Sequence, residues 1–404
     1  MALAIPVAWF VILVVSLAGT TAIQAIEAEY VWEKVDALNA PSPRRSHAMA
    51  YDPATDAVVL FGGFGNGTHL GDTWILNMTD NSWMRKNPIV SPTPRAATTL
   101  VYDNVNSRLL MFGGFGFGHS IVSNDTWAYS TAENAWSNLD SKNPPSERAS
   151  YGMAFDSQRA VALLFGGFTE QGYFSDLWEY DPAENAWREI VPNGNVPAAR
   201  GAMGFVYDEE NDVFVMFGGF SETGFFSDTW VFHPDSDTWE EKSPQSHPPP
   251  LRTRMVYDSD SDQSIFFGGD VMFAETEEAP VAPYGSVLAY DYQQNTWQEL
   301  LEANVESGPS RRSLNGIVFD SARSSILIFG GTDALIDSEN FVGREFGDTW
   351  VLSSDPTPSI PAQNPASLTV PIIVLILGSA GAAAAILLFR RNRSGRQPAP
   401  SSPS

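Results

Sequence analysis

Five arginines recur with a fixed relation to an acid: Arg44, Arg95, Arg148, Arg200 and Arg312 each stand eight residues before an aspartate (Asp52, Asp103, Asp156, Asp208 and Asp320). A guanidinium is a planar fork of donors that grips a carboxylate through two parallel hydrogen bonds. Gathered at one place, these arginines would suit an acidic peptide or a sugar acid. The recurrence also fits a structural task, in which each arginine bonds the backbone or an acid of a neighbouring repeat. One repeat departs, with Pro250 at the matching position and Arg252 two residues later. The chain has five histidines, His47, His69, His119, His233 and His247. His69 and His119 fall in equivalent loops, but two loop histidines are short of a metal-ligand cluster, so neither metal nor cofactor is expected. Asp258-Ser259-Asp260-Ser261-Asp262 begins like a calcium loop, yet Gln263 replaces the sixth-position glycine and Gly269 the twelfth-position glutamate. An acidic hairpin turn is the expectation there. No nucleophile elbow or phosphate loop occurs, and no catalytic residue is assigned.

The elements that carry these residues repeat. Apolar runs end in Gly-Gly six times, at Gly62-Gly63, Gly113-Gly114, Gly166-Gly167, Gly218-Gly219, Gly268-Gly269 and Gly330-Gly331. An aspartate stands ten residues before each pair, and the sixth is Asp258. Successive pairs are separated by 51, 53, 52, 50 and 62 residues. A variable loop follows, then Asp72-Thr73-Trp74, Asp125-Thr126-Trp127, Asp176-Leu177-Trp178, Asp228-Thr229-Trp230 and Asp348-Thr349-Trp350. Nine residues beyond the first four of these tryptophans come Trp83, Trp136, Trp187 and Trp239; the fifth repeat has Leu288 before Trp297. The sixth repeat lacks its second tryptophan, which stands instead at the start, in Tyr30-Val31-Trp32.

This pattern resembles the Kelch repeat over about residues 30–352. The resemblance implies an all-β, six-bladed propeller of four-stranded blades, each unable to cover its faces alone. The Trp32 strand then completes the blade begun at Arg312 and closes the ring. Markers shared by all blades serve the fold, whereas features that differ between blades are candidates for function. The resemblance also puts the recurring arginines where the innermost strand begins, near one face of the central channel, and the variable loops around that same face. Aromatic and polar groups there suit a peptide or a sugar. Phe117, His119, Tyr173 and Phe225 are therefore grouped with the five arginines as a tentative ligand-binding set. Phe174, Phe226 and Phe346 stand two residues before their repeat's aspartate and are assigned to packing. Galactose oxidase-like copper chemistry needs a cysteine, and the chain has none. A sialic-acid epimerase-like, carbohydrate-modifying enzyme is the alternative function, and a structural cell-envelope protein is the third.

Charge narrows the partners. All 48 acidic residues lie between Glu27 and Asp355, and against 19 basic residues they leave that segment at −29. Phosphate backbones are repelled by such a surface, so nucleic acid is not an expected partner. Salt-adapted proteins share this acidic, lysine-poor character.

Both ends point to a membrane. Residues 1–26 carry no ionisable side chain and read as a signal peptide or an uncleaved signal anchor. Leu368 to Phe389 is 22 residues without a charge, enough for a helix across about 30 Å of hydrocarbon. Arg390, Arg391, Arg393 and Arg396 follow, which keeps residues 390–404 cytoplasmic. The expected plan is a propeller over 27–352, a Pro/Ser-rich stalk over 353–367, a transmembrane helix over 368–389 and a basic tail. Asn66, Asn77 and Asn124 begin glycosylation sequons on the expected exterior. The expectation is a single-pass, extracytoplasmic, non-catalytic module that binds a protein or glycan at the cell surface.

Overall fold

Each repeat begins with a short apolar strand that ends at its aspartate, turns, and returns as a second apolar strand. In the computed structural model, which describes residues 29–116, 122–272, 281–303, 308–336 and 341–355, that pair forms the inner half of a four-stranded antiparallel blade. Blade one is Ala48–Asp52, Ala57–Gly65, Thr68–Asn77 and Ser82–Lys86. Blades two to five follow in chain order, with inner strands Leu100–Asp103, Gly152–Asp156, Gly204–Asp208 and Met255–Asp258. Blade six takes Gly316–Asp320, Ser325–Phe329 and Thr349–Asp355 from the end of the domain and Glu29–Val35 from its start. Trp32 lies opposite Leu352 in that last pairing, so the ring closes through the N-terminal strand as the displaced tryptophan implies.

The invariant residues are explained by local geometry. The inner-strand aspartate is buried and its carboxylate accepts the backbone N–H of Ala54, Val105, Gln158, Asn211, Asp260 or Ala322, holding the hairpin turn in each blade. The Asp258–Asp262 run is one of these turns. Gly62 has φ +66°, and a Cβ there would lie 2.5 Å from the carbonyl oxygen of Arg95 in the next blade. The glycine pair is thus the place where adjacent blades touch backbone to backbone.

Apolar packing sits between blades. The buried residues fall into six clusters, one at each blade-to-blade interface, including the junction of blade six with blade one. The second tryptophan of a blade enters the cluster and gives its indole N–H to the threonine hydroxyl of the preceding blade. Trp83 donates to Thr349, Trp136 to Thr73, Trp187 to Thr126 and Trp297 to Thr229, at 3.2, 2.9, 2.9 and 3.0 Å. Blade three carries Leu177 in place of threonine, and the Trp239 indole N–H is accordingly buried without an acceptor.

A second seam circles the channel mouth. The N–H groups of Ser46, Ala97, Ser150, Ala202 and Thr253 donate to the carbonyls of Leu314, Ser46, Ala97, Ser150 and Ala202, at 2.6 to 3.1 Å. Ser46, Ala97, Ser150, Ala202 and Leu314 hold φ of 54 to 55°, a left-handed conformation uncommon without glycine. Blade five omits this left-handed residue: Leu251 lies over Gly218 as Arg44 lies over Gly330, but only seven residues separate it from Asp258.

The last strand runs to Asp355, because Ser353, Ser354 and Asp355 pair with Val31, Tyr30 and Glu29. Residues 353–355, assigned to the stalk from the sequence, thus belong to the blade, and the rest of that stretch lies outside the described residues. Residues 1–26, the 368–389 segment and the basic tail lie outside the described residues. Within the described residues, no helix is long and apolar enough to cross a membrane.

Candidate functional site

The recurring arginines depart from the ligand-binding set in which the sequence grouped them. Arg44, Arg95, Arg148, Arg200 and Arg312 are 0–1% exposed. Each forks onto the Asp-x-Trp aspartate of its own blade: Arg44 onto Asp72 at 2.7 and 3.0 Å, and the others onto Asp125, Asp176, Asp228 and Asp348. A second hydrogen on Nη1 goes to the carbonyl of the first Gly-Gly glycine, and Nε goes to the carbonyl two residues back. In Arg44 the fifth donor reaches the Ser42 hydroxyl at 3.0 Å, so the whole fork is used. The tryptophan two residues on donates to the same aspartate. Burial works to raise the carboxyls of Asp72, Asp125 and Asp348, but the guanidinium and indole donors outweigh it and hold them below the ordinary range. Phe174, Phe226 and Phe346 cover the guanidiniums of Arg148, Arg200 and Arg312 at 4.1, 3.8 and 4.1 Å, which is the packing slot assigned to them. These arginines brace their own blades, and with four or five donors committed in each they are closed to a sugar carboxylate.

What the loop face does present is a row of rings. Phe115, Phe168 and Phe220 each follow a Gly-Gly pair in successive blades, with centroids 5.3 and 5.8 Å apart. Tyr173 adds to the row at 5.3 Å from Phe168 and 5.4 Å from Phe220, and Phe225 lies 5.9 Å from Phe220. All five are half-buried. Burial, then Glu222, pushes the Tyr173 hydroxyl up. At one end of the row the Arg252 guanidinium stands 5.3 Å from Phe220 and pairs with buried Asp270. The rest of the rim is charged, with Arg45 paired to Glu345 and stacked 4.5 Å over Phe64, and Arg344 paired to Asp333 at 3.0 Å. Tyr173 and Phe225 therefore come together on one arc, while Phe117 and His119 lie outside the described residues. Asn66, Asn77 and Asn124 are exposed, with Asn66 in a loop-face turn.

His69 is half-buried against Phe64 at 5.3 Å. No group of three or more metal-ligating side chains occurs within the described residues. His47 is fully buried, edge-on to Phe329 at 5.5 Å, with neither ring nitrogen hydrogen-bonded. Burial first, then Arg254 and Arg44, drives its pKa well below the ordinary value.

The central channel, about 480 Å³, is lined by the inner strands of all six blades. Sequence reasoning missed two sets of residues here. The Phe115–Phe168–Phe220 row was visible as the residue after Gly-Gly, which becomes Asp270 and Thr332 in blades five and six. Arg254 was marked by blade five's one-residue deficit between Leu251 and Asp258.

Comparison with known proteins agrees with this architecture. The model of the KLHDC2/KLHL20/DRC7 Kelch-repeats domain matches three overlapping windows, residues 25–206, 85–269 and 161–357. Relatives include Mei4-dependent protein 6 of Schizosaccharomyces pombe, 26% identical over 168 residues, covering 38% of this chain and 24% of that protein. Tip elongation aberrant protein 1 of the same yeast is 26% identical over 218 residues, covering 50% of this chain and 18% of that protein. Adagio-like protein 3 of Oryza sativa is 26% identical over 341 residues, covering 80% of this chain and 50% of that protein. The matches thus span half or less of these relatives' own lengths. Six blades, paired glycines, Asp-x-Trp strands and a family match over 25–357 have one meaning: the chain belongs to the Kelch-repeat propeller family.

Proposed function

We propose that this propeller is a non-catalytic docking module, held outside the cell by its C-terminal segment, whose loop face binds a protein partner through the aromatic arc. The arc is the observation that carries the reading. Five rings from three successive blades form one continuous half-buried patch, bordered by Arg252, and aromatic anchors beside arginine dominate binding energy at interfaces. Kelch-type propellers serve as protein-interaction modules, which favours a protein over other occupants. The uncharged 368–389 segment and the arginines after it supply the argument for anchorage and orientation. A glycan is the second occupant, favoured by the same rings, which suit the apolar face of a sugar.

The test is affinity capture by the full-length protein from its host's envelope extract, with a Tyr173→Ala/Phe225→Ala double variant as comparison. A partner retained by the native chain and lost by the variant, with near-UV dichroism unchanged, supports the module. A partner retained equally by both removes the arc from the function. Glycosidase treatment of the extract separates the two occupants.

A further inference from the structure

Blade five places a cation where the other blades place almost nothing. Met255 pairs with Phe266 as Met49 pairs with Leu60, Leu100 with Met111, Met153 with Leu164, Phe205 with Met216 and Ile317 with Ile328. By that register the residue before Met255, Arg254, corresponds to Ala48, Thr99, Gly152, Gly204 and Gly316. The other five blades keep this position small, and at Gly152, Gly204 and Gly316 a Cβ would meet the next blade; blade five fills it with an arginine that lines the channel. Arg254 reaches past blade six and donates to the carbonyls of His47 in blade one and Thr98 in blade two, at 2.6 and 3.2 Å. Among the described residues these carbonyls are its hydrogen-bond partners, and no carboxylate pairs with it. Burial pulls its pKa down to about 10, so it remains charged at neutral pH.

Arg254 is half-buried, and a charge drawn partly out of water without a counter-charge carries a cost that an anion beside it offsets. The surroundings supply further donors. The hydroxyls of Ser46, Thr99 and Ser150 line the same cavity and make no hydrogen bond within the described residues. The acids of the outer surface are screened over about 8 Å at physiological salt; within the channel lining Arg254 and Arg252 stand against one carboxylate, Glu209.

We propose that the central channel is a binding site for a small oxyanion, a phosphate or a low-molecular-weight carboxylate, held by Arg254 and the Ser46, Thr99 and Ser150 hydroxyls.

The test uses the full-length protein at pH 7, titrated with sodium phosphate or sodium acetate against sodium chloride at matched ionic strength, with the unfolding midpoint read by tryptophan fluorescence. A ligand that binds only the folded state raises the midpoint with the logarithm of its concentration once above its Kd, by several degrees at about a hundredfold excess. The expected result is such a rise with phosphate or acetate, absent in Arg254→Met and weakened severalfold in Thr99→Val. Response to phosphate alone assigns a tetrahedral anion, and response to acetate alone a carboxylate. The proposal is overturned by no rise beyond that in sodium chloride with either anion, or by the same rise in Arg254→Met. Should Arg254→Met not fold, Arg254→Lys and Thr99→Val decide: unchanged anion affinity in both overturns it equally.

Discussion

At the scale of single residues, the buried Arg–Asp forks are costly to break. Removing one partner leaves a charge without its match, so Arg148→Ala is expected to cost about 3 kcal/mol in urea unfolding, softened because Asp176 is 23% exposed. Thr126→Val leaves the Trp187 indole N–H buried and unbonded, as Leu177 already leaves Trp239; a loss of about 1–3 kcal/mol follows. The acid limb of stability has two parts. His47 stays neutral in the fold but protonates in the unfolded chain below about pH 6.5, so stability falls with pH there at up to about 1.4 kcal/mol per unit. Asp72, Asp125 and Asp348 have depressed carboxyls, and the stability they contribute above about pH 4 is lost as the pH drops through their folded values. Unfolding series at successive pH values should show both, and His47→Leu should flatten the first only. The residue scale is also where sequence reading went astray. The structural task expected of each arginine was a bond to a neighbouring repeat, whereas its partner lies 28 to 36 residues on, across its own blade. A contact made through the fold has no local trace. Tyr173 and Phe225 were legible because their loops differ between blades, but the phenylalanines completing their arc were hidden inside a shared motif.

At the scale of elements, the Gly-Gly strand ends admit no side chain. Gly166→Ala would force a left-handed residue and bring its Cβ within 2.6 Å of the Arg200 carbonyl oxygen. Gly67→Ala, also at positive φ but with nothing within 4 Å, isolates the backbone effect of about 1 kcal/mol. Thermal unfolding of the two should separate them widely, with Gly166→Ala the far less stable. Blade number, strand order and the closing strand were all readable from the repeat, since each marker has one local geometric cause. The left-handed ring at the channel mouth was not readable, because Ser46, Ala97, Ser150, Ala202 and Leu314 share a conformation without sharing a residue type.

At the scale of the whole molecule, charge and closure set the behaviour. A segment at −29 repels itself, and added salt screens that repulsion. Raising sodium chloride from about 0.05 to about 0.5 M, which shortens the screening length to under half, should raise the unfolding midpoint; a flat response would show that the acids are too dispersed to matter. Closure has a further consequence, in time. Glu29 pairs with Asp355, so the first strand to emerge from the ribosome waits for the last. At about 5–20 residues per second that wait is roughly 15–60 s. Throughout it Tyr30 and Trp32 have no strand to join, and by its end five blades stand beside an open sixth. The propeller is thus finished only after synthesis of its last strand, and a nascent chain stalled before Thr349 leaves blade six with its two inner strands alone and both of its interfaces incomplete.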